Sequence, residues 1–193
     1  MHTLLLMRHA QAAPMAATDH DRPLTAYGRR QAHEMGLQLA GRRIDLAMVS
    51  SARRTQQTFE ELEVDCRVET MRVLYGCTVP TMRQRISESL DDEVNTLLVI
   101  AHSPAIPQLA AQLSADPTDS QGQSILCHYP PATLTEIAVD GPWREISEEL
   151  ATNTSLRGVW EPPMCGSSPH PADSRSRWLN AARRRRWCAH RCT

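Results

Sequence analysis

The chain has 193 residues, a formal net charge of −1, 41% hydrophobic and only 4% aromatic side chains, which suits a single domain with an aliphatic core and possible tails. No run approaches the ~20 apolar residues of a membrane span, and the opening LLLM is cut short by Arg8, below the ~7–15 residues of a signal-peptide core, so a cytoplasmic protein is expected. The six cysteines lack the pair spacing of a disulfide framework or a zinc knuckle, so free thiols are expected.

Apolar runs with strand character alternate with helical patterns along the chain. Thr3 to Met7 predicts a first strand. Thr25 can cap a helix whose inner face is Gly28, Ala32, Met35, Gly36 and Leu39. Ile44 to Val49 predicts a buried strand, and Ser50-Ser51 the cap of a helix facing inward with Ala52, Thr55, Phe59 and Leu62. A weak strand follows near Arg67 and Val68, then a helix with Pro80 in its first turn and Met82, Ile86 and Leu90 along one side. "TLLVIA", Thr96 to Ala101, is the clearest central strand and leads into a helix carrying Ile106, Leu109, Ala110 and Leu113. Thr133 to Val139 and Trp143 to Ile146 predict the last strands.

Charge is uneven. After residue 163 seven Arg stand against one acid, and Pro, Ser and Arg predominate without an apolar face. The expected organisation is a domain over 1–163 and a basic tail over 164–193, disordered in preference to nucleic-acid binding. The tail's Cys188, His190 and Cys192 supply too few ligands for a tetrahedral zinc site.

Continuous apolar strands between helices imply an α/β fold with three layers, helices on both faces of a mainly parallel sheet. Ligands of such sheets bind beyond the carboxyl ends of the strands. Three strands end in functional side chains: Arg8-His9 after the first, Ser50 leading to Arg54 after the second, His102 after "TLLVIA". Two histidines and two arginines at one sheet edge suit a phosphoryl group. Arginine grips its oxygens with fixed charged donors, and a neutral histidine can attack phosphorus.

With these residues in place, the chain resembles the histidine phosphatase superfamily, in particular its small SixA-type phosphohistidine phosphatases with the phosphoglycerate mutase-like fold. Met7-Arg8-His9-Ala10 is similar to the family's strand-Arg-His-Gly opening, with Ala in the Gly position. "DRPLTAYGRRQA" (Asp21 to Ala32) resembles the RPLT-x-x-G segment, and "SSARRTQQT" (Ser50 to Thr58) the Ser-x-x-x-Arg-Ala-x-Gln-Thr motif, which puts the second arginine at Arg54 and not Arg53. "VIAHSPAI", "LYG" and "YPPATL" also fit, in the family's order, over roughly residues 1–163.

The resemblance implies a metal-independent and cofactor-free phosphatase in which His9 becomes phosphorylated while Arg8, Arg54 and His102 hold the phosphoryl oxygens. Gln11 and Asp21 are further candidates for substrate contact, and His20 for the mouth of the site. Family members that act on phosphoesters place a carboxylic acid just before the segment matching Leu74-Tyr75-Gly76. Here Met71, Arg72 and Val73 precede it, with Glu69 further upstream. That absence favours a phosphohistidine-bearing protein as partner, because a leaving imidazole can be protonated before departure. The alternatives are a small-molecule phosphomonoesterase and a non-catalytic phosphate or phosphoprotein-binding module; neither nucleic acid nor a membrane is an expected partner.

Overall fold

The computed structural model describes residues 1–88, 93–114, 120–147 and 153–163. Its elements, all within Met1–Pro162, are β1 (His2–Arg8), α1 (Ala26–Leu39), β2 (Leu46–Ser50), α2 (Arg53–Leu62), β3 (Arg67–Met71), α3 (Val79–Glu88), β4 (Thr96–Ala101), α4 (Ala105–Leu113), α5 (Ser120–Cys127), β5 (Leu134–Val139) and β6 (Thr154–Trp160). Among the described residues no helix is long and apolar enough to cross a membrane. The basic tail and Leu90 lie outside the described residues.

One six-stranded sheet runs in the order β3-β2-β4-β1-β5-β6. The first four strands are parallel, while β5 is antiparallel to β1 and β6 to β5. Alternate side chains of each strand face opposite layers. Leu4 and Leu6 of β1 and Leu97 and Val99 of β4 pack with Met82, Ile86, Ile106 and Leu109 of α3 and α4. Leu5, Met7, Leu98 and Ile100 point the other way, onto Ala32 and Met35 of α1 and Leu62 of α2. Both faces are covered, so these strands read as unbroken apolar runs. The expected three-layer α/β/α architecture with a mainly parallel sheet is therefore the observed one.

Two local expectations need correction, and two further elements are present. Trp143 to Ile146 is not a strand but part of a 3-10 helix, Trp143–Ser147. Its apolar residues are buried as an end plug, with the Trp143 indole Nε1 donating to the Val94 carbonyl at 2.7 Å. The last strand is β6, an edge strand with no buried residue, and α5 buries only Ile125. Neither element presents the apolar period that would announce it. The Ser50-Ser51 cap is also displaced: Ala52 occupies the N-cap of α2 without a side-chain cap bond. The expected inner face holds, with Ala52, Thr55 and Leu62 buried and Phe59 partly buried against the core, and Arg54 and Thr58 are buried as well. Thr25, by contrast, caps α1 as expected, its hydroxyl accepting from the Gly28 N–H at 2.9 Å.

Candidate active site

Parallel pairing brings the site together. β1 and β4 are in register with Arg8 beside Ala101, so the next residues, His9 and His102, emerge at the same level. Their rings lie 5.2 Å apart, centroid to centroid, at 59°. Ser50 ends β2 on the far side of β4, and its hydroxyl meets His102 Nε2 at 2.8 Å. Arg54 follows in the first turn of α2 and is only 6% exposed, whereas Arg53 is exposed. Arg8 at the tip of β1 donates through Nη1 to the Tyr129 carbonyl at 2.7 Å.

Hydrogen bonding settles the form of His9. Its Nδ1 lies 2.7 Å from the Ala10 carbonyl, which can only accept, so Nδ1 carries the ring proton and Nε2 keeps its lone pair. Burial, with Arg54 and Arg8 nearby, lowers its pKa to about 4 and outweighs the opposing bond to Ala10. Burial, together with His9 and Arg54, lowers that of His102 to about 3. Both rings are neutral near pH 7. Arg8 Nε, Arg54 Nε and His102 Nδ1 are buried without a hydrogen-bond partner. Buried donors left unpaired are costly, and a cluster of them beside a neutral imidazole is a receptor for an oxyanion.

The loops around the cluster are pinned by motif residues. The Thr58 hydroxyl accepts from the Ala10 N–H at 3.0 Å and donates to the Arg54 carbonyl, tying the start of the loop after β1 to α2. Gln57 Oε1 accepts from the Leu24 N–H at 2.8 Å. Ala10 is fully buried and is absent from the positions with positive φ, so its methyl group is accommodated where the family opening has Gly. Gly28 has no such freedom, because a Cβ there would stand 2.0 Å from the Gln11 carbonyl oxygen. Ala132 takes φ 64° so that its N–H reaches the carbonyls of Arg8 and His9, both at 3.1 Å. A left-handed non-glycine residue costs of order 1 kcal/mol, and here it closes the end of β1.

Gln11 and Asp21, the further candidates for substrate contact, bond to neighbouring residues of the chain. The Gln11 side chain accepts from the Thr25 hydroxyl at 2.8 Å, at the start of α1. Asp21 is exposed and accepts from the Thr18 hydroxyl at 2.6 Å. Neither makes a hydrogen bond or ion pair with Arg8, His9, Arg54 or His102 among the described residues. The acid that does is Asp19, whose carboxylate accepts from Arg54 Nη2 at 3.1 Å and from the Tyr75 hydroxyl at 2.7 Å. Sequence reasoning missed Asp19 because Asp19 and Asp21 flank His20 alike in a polar loop. Tyr75 was visible only as part of "LYG"; its ring stands 5.6 Å from that of His102, edge on. His20 also packs against Tyr75, at 5.0 Å, and its Nε2 lies 2.9 Å from Ser51 Oγ, at the margin of the cluster.

The family model for the histidine phosphatase superfamily (branch 1) matches residues 4–75. An uncharacterised protein of Mycobacterium tuberculosis is 33% identical over 150 residues, covering 75% of this chain and 94% of the relative. The phosphohistidine phosphatase SixA of Escherichia coli is 32% identical over 117 residues, covering 57% of this chain and 73% of the relative. The chain belongs to the histidine phosphatase superfamily. A structure from Nakamurella multipartitia assigned to SixA is 31% identical, with a TM-score of 0.74 over 83% of this chain and 96% of that one. The fold also matches SixA complexed with tungstate, at 24% identity and a TM-score of 0.66. This SixA-type protein is thus a phosphatase, and the cluster of Arg8, His9, Arg54 and His102 is its candidate active site. Beside His102 the phosphatase carries an open groove of about 640 Å³, lined by Leu74, Val79, Pro104, Ala105, Gln108 and Gln112 among others.

Proposed function

We propose that this phosphatase removes the phosphoryl group from phosphohistidine displayed on another protein, through a phosphohistidine intermediate on His9. The observation that carries the reading is the His9 Nδ1 bond to the Ala10 carbonyl, which presents a neutral Nε2 lone pair beside two arginines. In the first step Nε2 attacks phosphorus, and the substrate's P–N bond breaks with its electron pair passing to the leaving imidazole. Arg8 and Arg54 offset the charge on the equatorial oxygens. Ser50 Oγ lies 2.8 Å from His102 Nε2; in this reading the hydroxyl donates, so that the ring proton of His102 sits on Nδ1, which has no partner in the protein and can bond a phosphoryl oxygen. Water then attacks phospho-His9 and releases inorganic phosphate. No metal or cofactor is assigned a part in these steps.

The substrate class rests on proton supply. An alkoxide leaving group needs an acid. Asp19 is held well below the usual carboxylate range by its bonds from Arg22 and Tyr75 and by Arg54, so it is ionised and donates no proton. Glu69 pairs with Arg67 at 3.5 Å on the edge strand β3. A phosphoramidate tolerates this lack of an acid, since its leaving nitrogen collects a proton from solvent. The open, mostly uncharged groove beside His102 supports a protein segment as the leaving group. The reading includes a cytoplasmic location.

Phosphate release from a phosphohistidine-bearing protein, run beside an aryl phosphate, tests this. The native chain is expected to cleave the former with the higher kcat/KM, and His9→Ala to lose activity by at least about 10³-fold, as removal of an attacking nucleophile does. Preference for the aryl phosphate would overturn the substrate class, and an active His9→Ala would overturn the intermediate.

A further inference from the structure

Asp19 touches the cluster but has no step in the reaction above. Its side chain is about half exposed, yet its contacts span three parts of the chain. Oδ1 accepts from Arg22 Nη1 at 2.8 Å, Oδ2 from Arg54 Nη2 at 3.1 Å and from the Tyr75 hydroxyl at 2.7 Å, and the backbone carbonyl from Arg54 Nη1 at 2.7 Å. One residue therefore holds both terminal nitrogens of the buried arginine. The Tyr75 ring it anchors also lies 5.8 Å from the Arg54 guanidinium carbon and 5.6 Å from the His102 ring.

We propose that Asp19 is a positioning residue for phosphoryl transfer: it grips the outer end of Arg54 through side chain and backbone, and fixes Tyr75 as the wall against His102. This rests on the reading that Arg54 holds phosphoryl oxygens. A guanidinium has five N–H donors in one plane. With two of them committed to Asp19, its plane is set, and the remaining three, Nε–H included, are oriented before substrate arrives. A phosphoryl site gains rate from such prior orientation, because a misaligned donor stabilises the transition state poorly. The opposite role is also physically defined: a carboxylate that merely occupies Arg54 until phosphate displaces it would weaken anion binding. The two roles predict effects of opposite sign.

The test uses the full chain and the variants Asp19→Ala, Asp19→Asn, Tyr75→Phe and Arg54→Ala. The readouts are tungstate affinity by calorimetry, kcat and KM for phosphate release from a phosphohistidine-bearing protein, and the melting temperature. Asp19→Ala is expected to weaken tungstate about 10-fold and lower kcat/KM about 10- to 100-fold, mostly in kcat, through loss of orientation. Asp19→Asn, which keeps an oxygen acceptor, should recover to within about threefold of the native chain. Tyr75→Phe deletes one hydroxyl from an exposed side chain and should lower kcat about threefold with an unchanged melting temperature, which guards against a folding defect in Asp19→Ala. Tungstate binding to Asp19→Ala as tight as native or tighter, or no recovery in Asp19→Asn, would overturn the positioning role while Arg54→Ala still loses tungstate. Native-like tungstate binding by Arg54→Ala would unseat the Arg54 reading itself, and the inference with it.

Discussion

A neutral imidazole attacks phosphorus and an imidazolium does not, so in the proposed reaction the titration of His9 sets the acid limit. The free enzyme should lose kcat/KM as pH falls through about 4, the value to which burial and the two arginines bring this ring. A pH–rate profile with its acid limb near the ordinary histidine value would contradict the described environment. Ser50 acts at the same scale. Its hydroxyl is the partner of a buried ring nitrogen, and Ser50→Ala leaves that nitrogen unsatisfied at a cost of about 1–3 kcal/mol. We expect kcat to fall about 5- to 150-fold with little change in KM, measurable by steady-state kinetics. The arginines, the histidines and Ser50 were legible in sequence because each ends a strand or opens the next helix. Asp19 was not, since its contacts depend on the direction in which an exposed loop side chain turns.

At the scale of the element, α1 shows how a strand end is held in place by a helix. The chain after His9 passes so close to α1 that Gly28 has no room for a methyl group. Gly28→Ala should therefore lower stability by about 1–3 kcal/mol, the usual range for overpacking, despite alanine's better helix propensity. Thermal denaturation would show it, and a melting temperature equal to or above the native one would refute the close approach. The buried strands and the amphipathic helices were readable because their apolar residues face a core. The edge strand β6 and the helix α5 were not, because they bury almost nothing and so leave no periodic trace. The apolar pair Trp143 and Ile146 misled in the other direction. It packs at the end of the sheet as a 3-10 turn, and a stretch of that length cannot show which period it follows.

For the whole molecule, the site carries a stability cost in acid. His9 and His102 are neutral in the fold to about pH 4 and 3, whereas both protonate near 6.5 once unfolded. The unfolded chain then binds more protons, so stability rises with pH across this window. It is undiminished by these groups above about 6.5 and falls as pH drops from there toward their folded values. Urea denaturation at pH 7.5 and 5.0 should show the lower midpoint at pH 5.0, and replacing both rings with Gln should shrink the difference. An unchanged difference in the double variant would mean that other groups carry the acid sensitivity.

The sequence by itself determined the family, the alternation of strands and helices, and the candidate side chains for the chemistry, because apolar period and motif order are written along the chain. Only the tertiary structure decided which of those side chains meet. The rings of His9 and His102 stand together because β1 and β4 pair in parallel register, although 93 positions separate them in the chain. It also set the Asp19 carboxylate against Arg54 and gave His9 its tautomer, since both follow from hydrogen bonds between neighbours in space, and nothing in the order of residues specifies where a loop's donors and acceptors will point.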